Sequence, residues 1–243
     1  MNRTQLYFWK PLMERHKKEL SMVEQYYIRT KPTFNDIEAE ATDYANHIYN
    51  NYPADESTDL SAVADYANDE AIQLYDLLET LKKNHLLMTI SMLCQIWEQQ
   101  LIKFTLTEIG HFIKFHNNSL SFSESKNIFE LHEVKVEECA SWKMIKEMRL
   151  LVNTIKHGDG ESARKLRRIR PDYFELDLIK GTDTLELARA VLLDSYSLMV
   201  DEQDFINYVE ATKTFWNEMP EYAYSDVNLI ITILNKRKER SSR

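Results

Sequence analysis

The chain has 243 residues, of which 44% are hydrophobic and 11% aromatic, so it is long and apolar enough to bury one large core. It has only four glycines and five prolines, which argues against the many turns of a multi-stranded β protein and predicts long helices with few connections. The net charge of −9 argues against a general nucleic-acid coat protein, because phosphate binding usually needs a basic surface.

Apolar residues recur at helical spacing along most of the chain, which indicates a mostly α protein. This spacing predicts helices at 4–29, 36–49, 57–81, 86–115, 125–132, 139–157, 161–169, 201–216 and 225–236. The helix at 86–115 is apolar around most of its circumference, which is typical of the central helix of a bundle.

The predicted connections between these helices are few. A loop is expected at 50–57, and the polar run at 82–85 indicates a break or an exposed turn. The residues at 116–123 are typical of a polar linker. Weak alternation from 173 to 179 favours a short strand, whereas 184–193 is compatible with a strand or a helix.

The predicted fold class is mostly α: a helical bundle with an N-terminal helical extension and one short β-hairpin near 173–200. We divide the chain into an acidic helical region at 1–84 and a bundle at 85–243. One continuous domain is the alternative to this division.

The charges are distributed unevenly along the chain. Between Pro32 and Leu81 there are twelve acidic residues and no lysine or arginine, while cations concentrate at 143–170 and in a tail at 236–240. One interpretation is an anion-binding site that the negative net charge conceals. The other is two solvated faces of opposite sign.

Several kinds of site have no supporting motif. Cys94 and Cys139 lack CxxC spacing and are interpreted as reduced, structural thiols. No HExxH motif, Gly-rich phosphate loop or nucleophile constellation is present, so neither a metal nor a cofactor is predicted. No apolar segment has the length of a signal peptide or a bilayer span, so we expect a soluble, cytoplasmic protein.

The segment from Arg149 to Gly160 has the most distinctive chemistry in the chain. Arg149, Asn153 and His157 are spaced four apart and therefore share one face of the predicted helix, which Lys156 flanks. Gly158 is a natural left-handed residue after a helix end, so the pattern places His157 at an exposed terminus.

These residue types suit metal-independent phosphate chemistry. His157 can take a proton from a ribose 2′-hydroxyl or give one to a leaving oxygen. Arg149 and Lys156 can offset charge on the phosphate, and Asn153 can orient it. The alternative is an ordinary helix terminus, where lysine, histidine and glycine are common through capping and dipole effects alone.

The segment Asn153-x-x-x-His157-Gly, preceded by an apolar helix bearing Glu98, resembles the HEPN superfamily. The resemblance covers about 86–115 and 139–220, and it implies a helical bundle. It also implies a metal-independent endoribonuclease of an antiviral-defence or toxin–antitoxin system, with a composite site across a homodimer. Glu98 becomes the candidate orienting carboxylate.

The chain departs from the family at one catalytic position. The family motif separates arginine from histidine by four to six residues, which points to positions 150–152, but these are Leu150, Leu151 and Val152. Arg149 precedes His157 with seven residues between them. Either Arg149 reaches the site from one position further back, or the catalytic arginine is missing.

A basic run follows the motif and is predicted as a short helix anchored by Leu166 and Ile169. Its cations are Arg164, Lys165, Arg167, Arg168 and Arg170. One interpretation is an RNA- or phosphate-binding surface beside His157. The other is pairing with the acidic N-terminal region, within one chain or between chains.

Three functions follow from these observations. The first is the endoribonuclease, with RNA as its substrate and an antitoxin or another defence component as its partner. The second is a non-catalytic HEPN-like module that binds a partner protein or senses a nucleotide through the same basic helix. The third is an antitoxin-like neutraliser whose acidic region at 36–79 mimics nucleic acid.

Overall fold

The computed structural model describes residues 3–113, 120–176 and 179–232, and it is mostly α, which confirms the predicted fold class. The helices that lie wholly within the described residues are α1 (Lys10–Thr30), α2 (Ile37–Asn51), α3 (Leu60–Gly110), α4 (Phe122–Leu131), α5 (Trp142–His157), α6 (Glu161–Ile169), α7 (Thr184–Ala188) and α8 (Glu202–Asn217). The strands are β1 (Arg3–Tyr7), β2 (Glu175–Leu176), β3 (Ile179–Asp183) and β4 (Tyr222–Asp226). Short 3-10 turns lie at Lys31–Phe34, Val136–Glu138 and Pro171–Phe174.

The strand β1 corrects the prediction of a helix from residue 4. It pairs antiparallel with β4, with Thr4 opposite Ser225. The side chains of Thr4 and Leu6 are buried, and those between and beside them are half-buried or exposed. This is the two-residue period of a strand, and helical spacing begins only at α1.

The prediction of a final helix at 225–236 is wrong for its first residues, because they belong to the strand that pairs with β1. Residues 222–226 form β4, and residues 227–232 are helical. The basic tail at 236–240 and the first half of the predicted linker at 116–123 lie outside the described residues. The antiparallel pair of β2 and β3 confirms the predicted β element, while 184–193 forms only the short helix α7.

The predicted break at 82–85 is wrong, because α3 runs through it without interruption. The polar side chains that suggested a turn are used in tertiary contacts. The amide of Asn84 donates to the carbonyl of Leu192 at 2.6 Å. The ring of His85 stacks on Tyr27, with 5.2 Å between centroids, and lies 2.7 Å from the hydroxyl of Thr30. Polar residues therefore mark a packed face of the helix here.

The chain forms two compact units, and each is assembled from separated segments. The first comprises Met1–Glu24, Ile90–Arg149 and Gln203–Arg243. The second comprises Gln25–Thr89 and Leu150–Glu202. The predicted boundary between 84 and 85 falls inside α3, and the division at that point stays a prediction.

The core of the first unit is aromatic. Phe8 stacks on Phe104 at 4.7 Å between ring centroids, and Trp97 meets Phe215 edge to face at 5.1 Å. Trp97 is fully buried. Offset and edge-to-face pairs of this kind add stability beyond the burial of their apolar area.

His132 joins β1, α4 and β4 in the first unit. Its Nδ1 lies 2.7 Å from the carbonyl oxygen of Ile128, which only accepts, so Nδ1 carries the proton. Nε2 lies 3.0 Å from the hydroxyl of Thr4, and this hydroxyl donates to the carbonyl oxygen of Ser225 at 3.3 Å. His132 therefore connects the end of α4 to the sheet of β1 and β4.

We expect stability to fall as the pH is lowered below neutrality. Burial lowers the pKa of His16, His85 and His132 below the unfolded value of about 6.5. The unfolded chain then binds more protons than the folded one, so the free energy of unfolding decreases as the pH drops through 6.5. Urea unfolding at pH 7.5 and pH 5.5 measures the change. His132→Gln is expected to make the dependence shallower, and an unchanged slope would contradict this origin.

Candidate functional site

The end of α5 has the predicted geometry. Gly158 has φ +68°, and its N–H donates to the carbonyl of Thr154 at 2.8 Å, which confirms the left-handed residue after the helix. A Cβ here would meet its nearest neighbour, the Arg189 carbonyl, at an ordinary 3.8 Å, so the backbone angle rather than space requires glycine. Lys156 and His157 are exposed, and the imidazole of His157 makes no hydrogen bond or ion pair with another described side chain.

Arg149 lies in a different environment, although α5 also carries it. Its Nε donates to Oε1 of Glu98 at 2.6 Å, and its guanidinium stacks over the ring of Phe122 at 3.8 Å. The exposed fractions of the Arg149 and Glu98 side chains are 28% and 27%. The guanidinium of Arg149 is therefore bound by a carboxylate and covered by an aromatic ring of the protein itself, as in an ion pair that stabilises the fold. Asn153, one turn beyond, is half-buried.

Arg167 on α6 is also held by its own unit. Two of its nitrogens donate to the carboxylate of Asp183 at 2.6 and 3.1 Å, and a third donates to Asp159 at 2.5 Å. The guanidinium lies over the ring of Phe174 at 4.7 Å. Hydrogen bonds to these carboxylates raise the pKa of Arg167. This arginine links α6 to β3.

Arg170 is likewise held by a carboxylate and an aromatic ring of its own unit. Its Nε lies 3.0 Å from both carboxylate oxygens of Asp172, and Nη1 donates to the hydroxyl of Tyr173 at 2.5 Å. The guanidinium stacks over the Tyr173 ring at 3.7 Å. The carboxylate partners found for Arg167 and Arg170 are Asp159, Asp172 and Asp183, and none belongs to the acidic region at 36–79.

The other cations of the basic run point to solvent. Arg164, Lys165 and Arg168 are exposed, and the ion pair of Lys165 with Glu161 is an exposed i,i+4 pair of small energetic value. Leu166 is buried as predicted, but Ile169 is 49% exposed, so the prediction that it anchors α6 is wrong. Ala163 takes the second buried position, three residues before Leu166.

Four of these exposed side chains are cations close together in the sequence, and we call them the cationic edge. Its members are Lys156, Arg164, Lys165 and Arg168, and the exposed His157 follows Lys156 at the end of α5. All five belong to the second unit. The predicted site residues therefore fall into two groups: side chains that are exposed to solvent, and arginines that are held by carboxylates of the protein.

Comparison with known proteins identifies no relative of the chain. No protein-family model matches the chain, and no curated protein or solved structure matches it significantly. The HEPN resemblance rests on α5 and Glu98 and stays a prediction.

Other candidate chemistry is limited in the part of the chain that the structure describes. No group of three or more histidine, cysteine or acidic side chains there is arranged to hold a metal. Burial raises the pKa of Cys94 to about 12 and that of Cys139 to about 11, and both are free thiols. No described helix has the length and apolar character needed to cross a membrane.

Sequence reasoning missed a polar hub in the first unit. The amide of Gln100 donates to the carbonyl of His16 at 3.1 Å and to the carboxylate of Glu19 at 3.0 Å. Its oxygen accepts from the indole of Trp216 at 3.0 Å. A groove of about 600 Å³ runs beside this hub. Nothing in the local pattern of a single glutamine on an apolar helix predicts such a role.

Proposed function

We propose that the chain is a non-catalytic, HEPN-like binding module whose cationic edge engages the phosphates of an RNA. The observation that carries the proposal is the contrast between the arginines. Arg167 and Arg170 are held by carboxylates of the same unit, while Arg164 and Arg168 are exposed and available to a ligand.

Electrostatics explains why such an edge works in an acidic protein. Cations at a surface attract phosphate over a screening length of about 10 Å at 0.1 M salt, so a phosphate that comes close to exposed cations is attracted even when the net charge of the protein is negative. Counterion release from a single strand gives a log–log salt slope of about −0.7 per phosphate contact. Four such contacts would give a slope of roughly −3.

The test is RNA binding by the full chain and by two variants with the same change in charge. Arg164→Glu with Arg168→Glu reverses the edge, and we expect it to weaken binding by at least about tenfold, since two phosphate contacts become repulsive. Lys143→Glu with Lys146→Glu reverses two exposed cations in the first half of α5 and serves as the control. Fluorescence anisotropy with a labelled single-stranded RNA measures the affinity. Equal losses in both variants would show non-specific electrostatics and contradict the proposal.

The metal-independent endoribonuclease is the second proposal. It is favoured by the exposure of His157 at the end of α5, where a ribose could reach the imidazole. Incubation with RNA in EDTA decides between the two. Cleavage to 2′,3′-cyclic phosphate ends, lost in His157→Ala, would establish the enzyme and overturn the first proposal. Binding without cleavage supports the first.

Assembly and location belong to the same proposal. A HEPN-like module of this kind would act in the cytoplasm as a homodimer, together with an antitoxin or another defence component. Sedimentation of the full chain over a range of concentrations measures the homodimer directly. A monomer at all concentrations would remove this part of the proposal and leave the RNA-binding test unaffected.

A further inference from the structure

The pairing of β1 with β4 determines which main-chain groups of β4 face outward. In an antiparallel pair, opposite residues alternate between those that exchange both main-chain hydrogen bonds and those whose N–H and C=O groups point away from the other strand. The N–H of Phe8 donates to the carbonyl of Glu221 at 3.0 Å, so every second residue from there to Ser225 faces β1. The N–H and C=O groups of Tyr222 and Tyr224 therefore point to the opposite edge of β4.

Two side chains agree with this alternation. The hydroxyl of Thr4 donates to the carbonyl oxygen of Ser225 at 3.3 Å, as expected for a carbonyl that faces β1. The N–H of Tyr7, which lies opposite Tyr222, points away from β4 and donates to Oε2 of Glu108 on α3 at 2.9 Å. α3 therefore supplies an acceptor at the outer edge of β1. Within the described residues, the outward main-chain groups of the two β4 tyrosines have no partner.

A groove of about 720 Å³ is lined by the whole of β4 and by the segment Leu131–Val134, which follows α4. Its volume is in the range of ordinary ligand-binding clefts. The side chains of Tyr222 and Tyr224 are 43 and 50% exposed, and their rings are nearly parallel, with 6.4 Å between centroids. The unpaired edge of β4 is therefore bordered by aromatic and apolar side chains.

We propose that β4 receives an extended segment of a partner protein as a third strand of this sheet. The unpaired N–H and C=O groups of Tyr222 and Tyr224 are the groups that another extended main chain binds in strand addition. Side chains on one face of the added strand would lie beside the two tyrosine rings, because cross-strand neighbours on one face contact each other. We call this surface, formed by the outward groups of β4 and the groove beside it, the β4 edge.

The charges of the groove favour a basic segment. Glu133 and Asp226 are exposed and line the groove, and Arg3 is the one lysine or arginine among the residues found to line it in the described chain. A lysine or arginine between alternate apolar residues of the segment would therefore meet complementary charge, whereas an acidic residue would be repelled.

Main-chain chemistry selects this occupant over two others. A second copy that used the same edge would bring its own β1 beside its β4, so a two-stranded sheet rather than one strand would have to fit against Leu131–Val134. A helix bonds its main-chain groups to one another along its length, so it cannot pair with a strand edge. The inference is independent of the cationic edge, because the two surfaces share no residue.

The experiment measures peptide binding to the full chain by fluorescence anisotropy. The probe is a labelled eight-residue peptide in which valine and threonine alternate and one central threonine is replaced by lysine. The comparison has the same sequence with methyl groups on its interior amide nitrogens, which keeps the side chains and removes the main-chain donors. We expect the unmodified peptide to bind at least about tenfold more tightly, since the methylated one leaves the β4 carbonyls unpaired. Replacing its lysine by glutamate should weaken binding.

Variants of one residue locate the binding. Tyr224→Pro removes the outward N–H and no hydrogen bond to β1, and proline is tolerated on an edge strand whose N–H faces solvent. We expect it to weaken peptide binding by at least about tenfold. Tyr224→Val removes the ring but keeps the N–H, and should lose clearly less affinity. Circular dichroism and urea unfolding check that both variants keep the fold.

Amide hydrogen exchange gives a measurement on the unchanged protein. The N–H of Ser225 faces β1 and should be protected with and without the peptide, whereas that of Tyr224 should exchange quickly in the free chain and slow down when the peptide is bound. This readout stands even if the proline variant fails to fold.

Four outcomes would overturn the proposal. The first is equal affinity for the methylated and unmodified peptides, or no binding of either at about 1 mM. The second is an equal loss in the folded proline and valine variants of Tyr224. The third is unchanged exchange of the Tyr224 amide in the bound state. The fourth is concentration-dependent dimerisation of the wild type that disappears in Tyr224→Pro, because a second copy would then be the occupant.

Discussion

Arg149→Ala is expected to lower the free energy of unfolding by about 1–3 kcal/mol, because it leaves a partly buried carboxylate without its partner. The guanidinium both donates to Glu98 and covers the ring of Phe122, so the loss combines an ion pair with packing. Arg149→Lys keeps the charge but loses the stacking, and should fall between the wild type and the alanine variant.

The measurement is urea unfolding of the two single variants, Arg149→Ala and Glu98→Ala, and of the double variant. If the two residues act as a pair, the double variant costs less than the sum of the single ones. RNA cleavage in EDTA is assayed in parallel. Loss of a cleavage activity in Arg149→Ala at unchanged stability would show that Arg149 serves catalysis, and the structural assignment would then be wrong.

Trp97→Ala is expected to have the largest effect on stability, about 3–5 kcal/mol, because it opens a cavity in the aromatic core. The indole packs against Phe122 and Phe215 with centroid distances of 5.6 and 5.1 Å. Its Nε1 is buried and has no hydrogen-bond partner among the described residues.

The matched control is Trp97→Phe. This change keeps most of the apolar volume and removes the buried N–H that lacks an acceptor, so we expect it to cost much less than the alanine variant. Thermal or urea unfolding of both variants compares them. A phenylalanine variant as unstable as the alanine variant would show that the indole N–H makes a hydrogen bond that the structure does not contain.

Local sequence signals predicted the elements around the candidate site. The range predicted for α6 matches its bounds at Glu161–Ile169, and α5 ends at His157 before a left-handed Gly158 as expected. Helix C-termini with glycine are local events that need only the residues of the last turn. Helical spacing likewise depends on neighbouring residues alone.

Long-range partners were not predictable from the same signals. Thr4 and Ser225 are 221 positions apart, and neither segment has a sequence pattern that identifies the other as its pairing partner. Because its partner strand could not be identified from the sequence, β1 was predicted to be the start of the helix that follows it. The polar run at 82–85 was interpreted as a turn because its partners, Tyr27, Thr30 and Leu192, are distant in sequence.

Composition and residue spacing alone predicted a mostly α chain, an exposed histidine at the end of α5, and separate acidic and basic stretches. Which cations are available to a ligand depends on the packing of the folded chain. It places carboxylates beside Arg149, Arg167 and Arg170 and leaves Arg164 and Arg168 in solvent. The physical reason is that charge and helical period are properties of neighbouring residues, whereas the partner of a charged side chain is chosen by the packing of segments far apart in the chain.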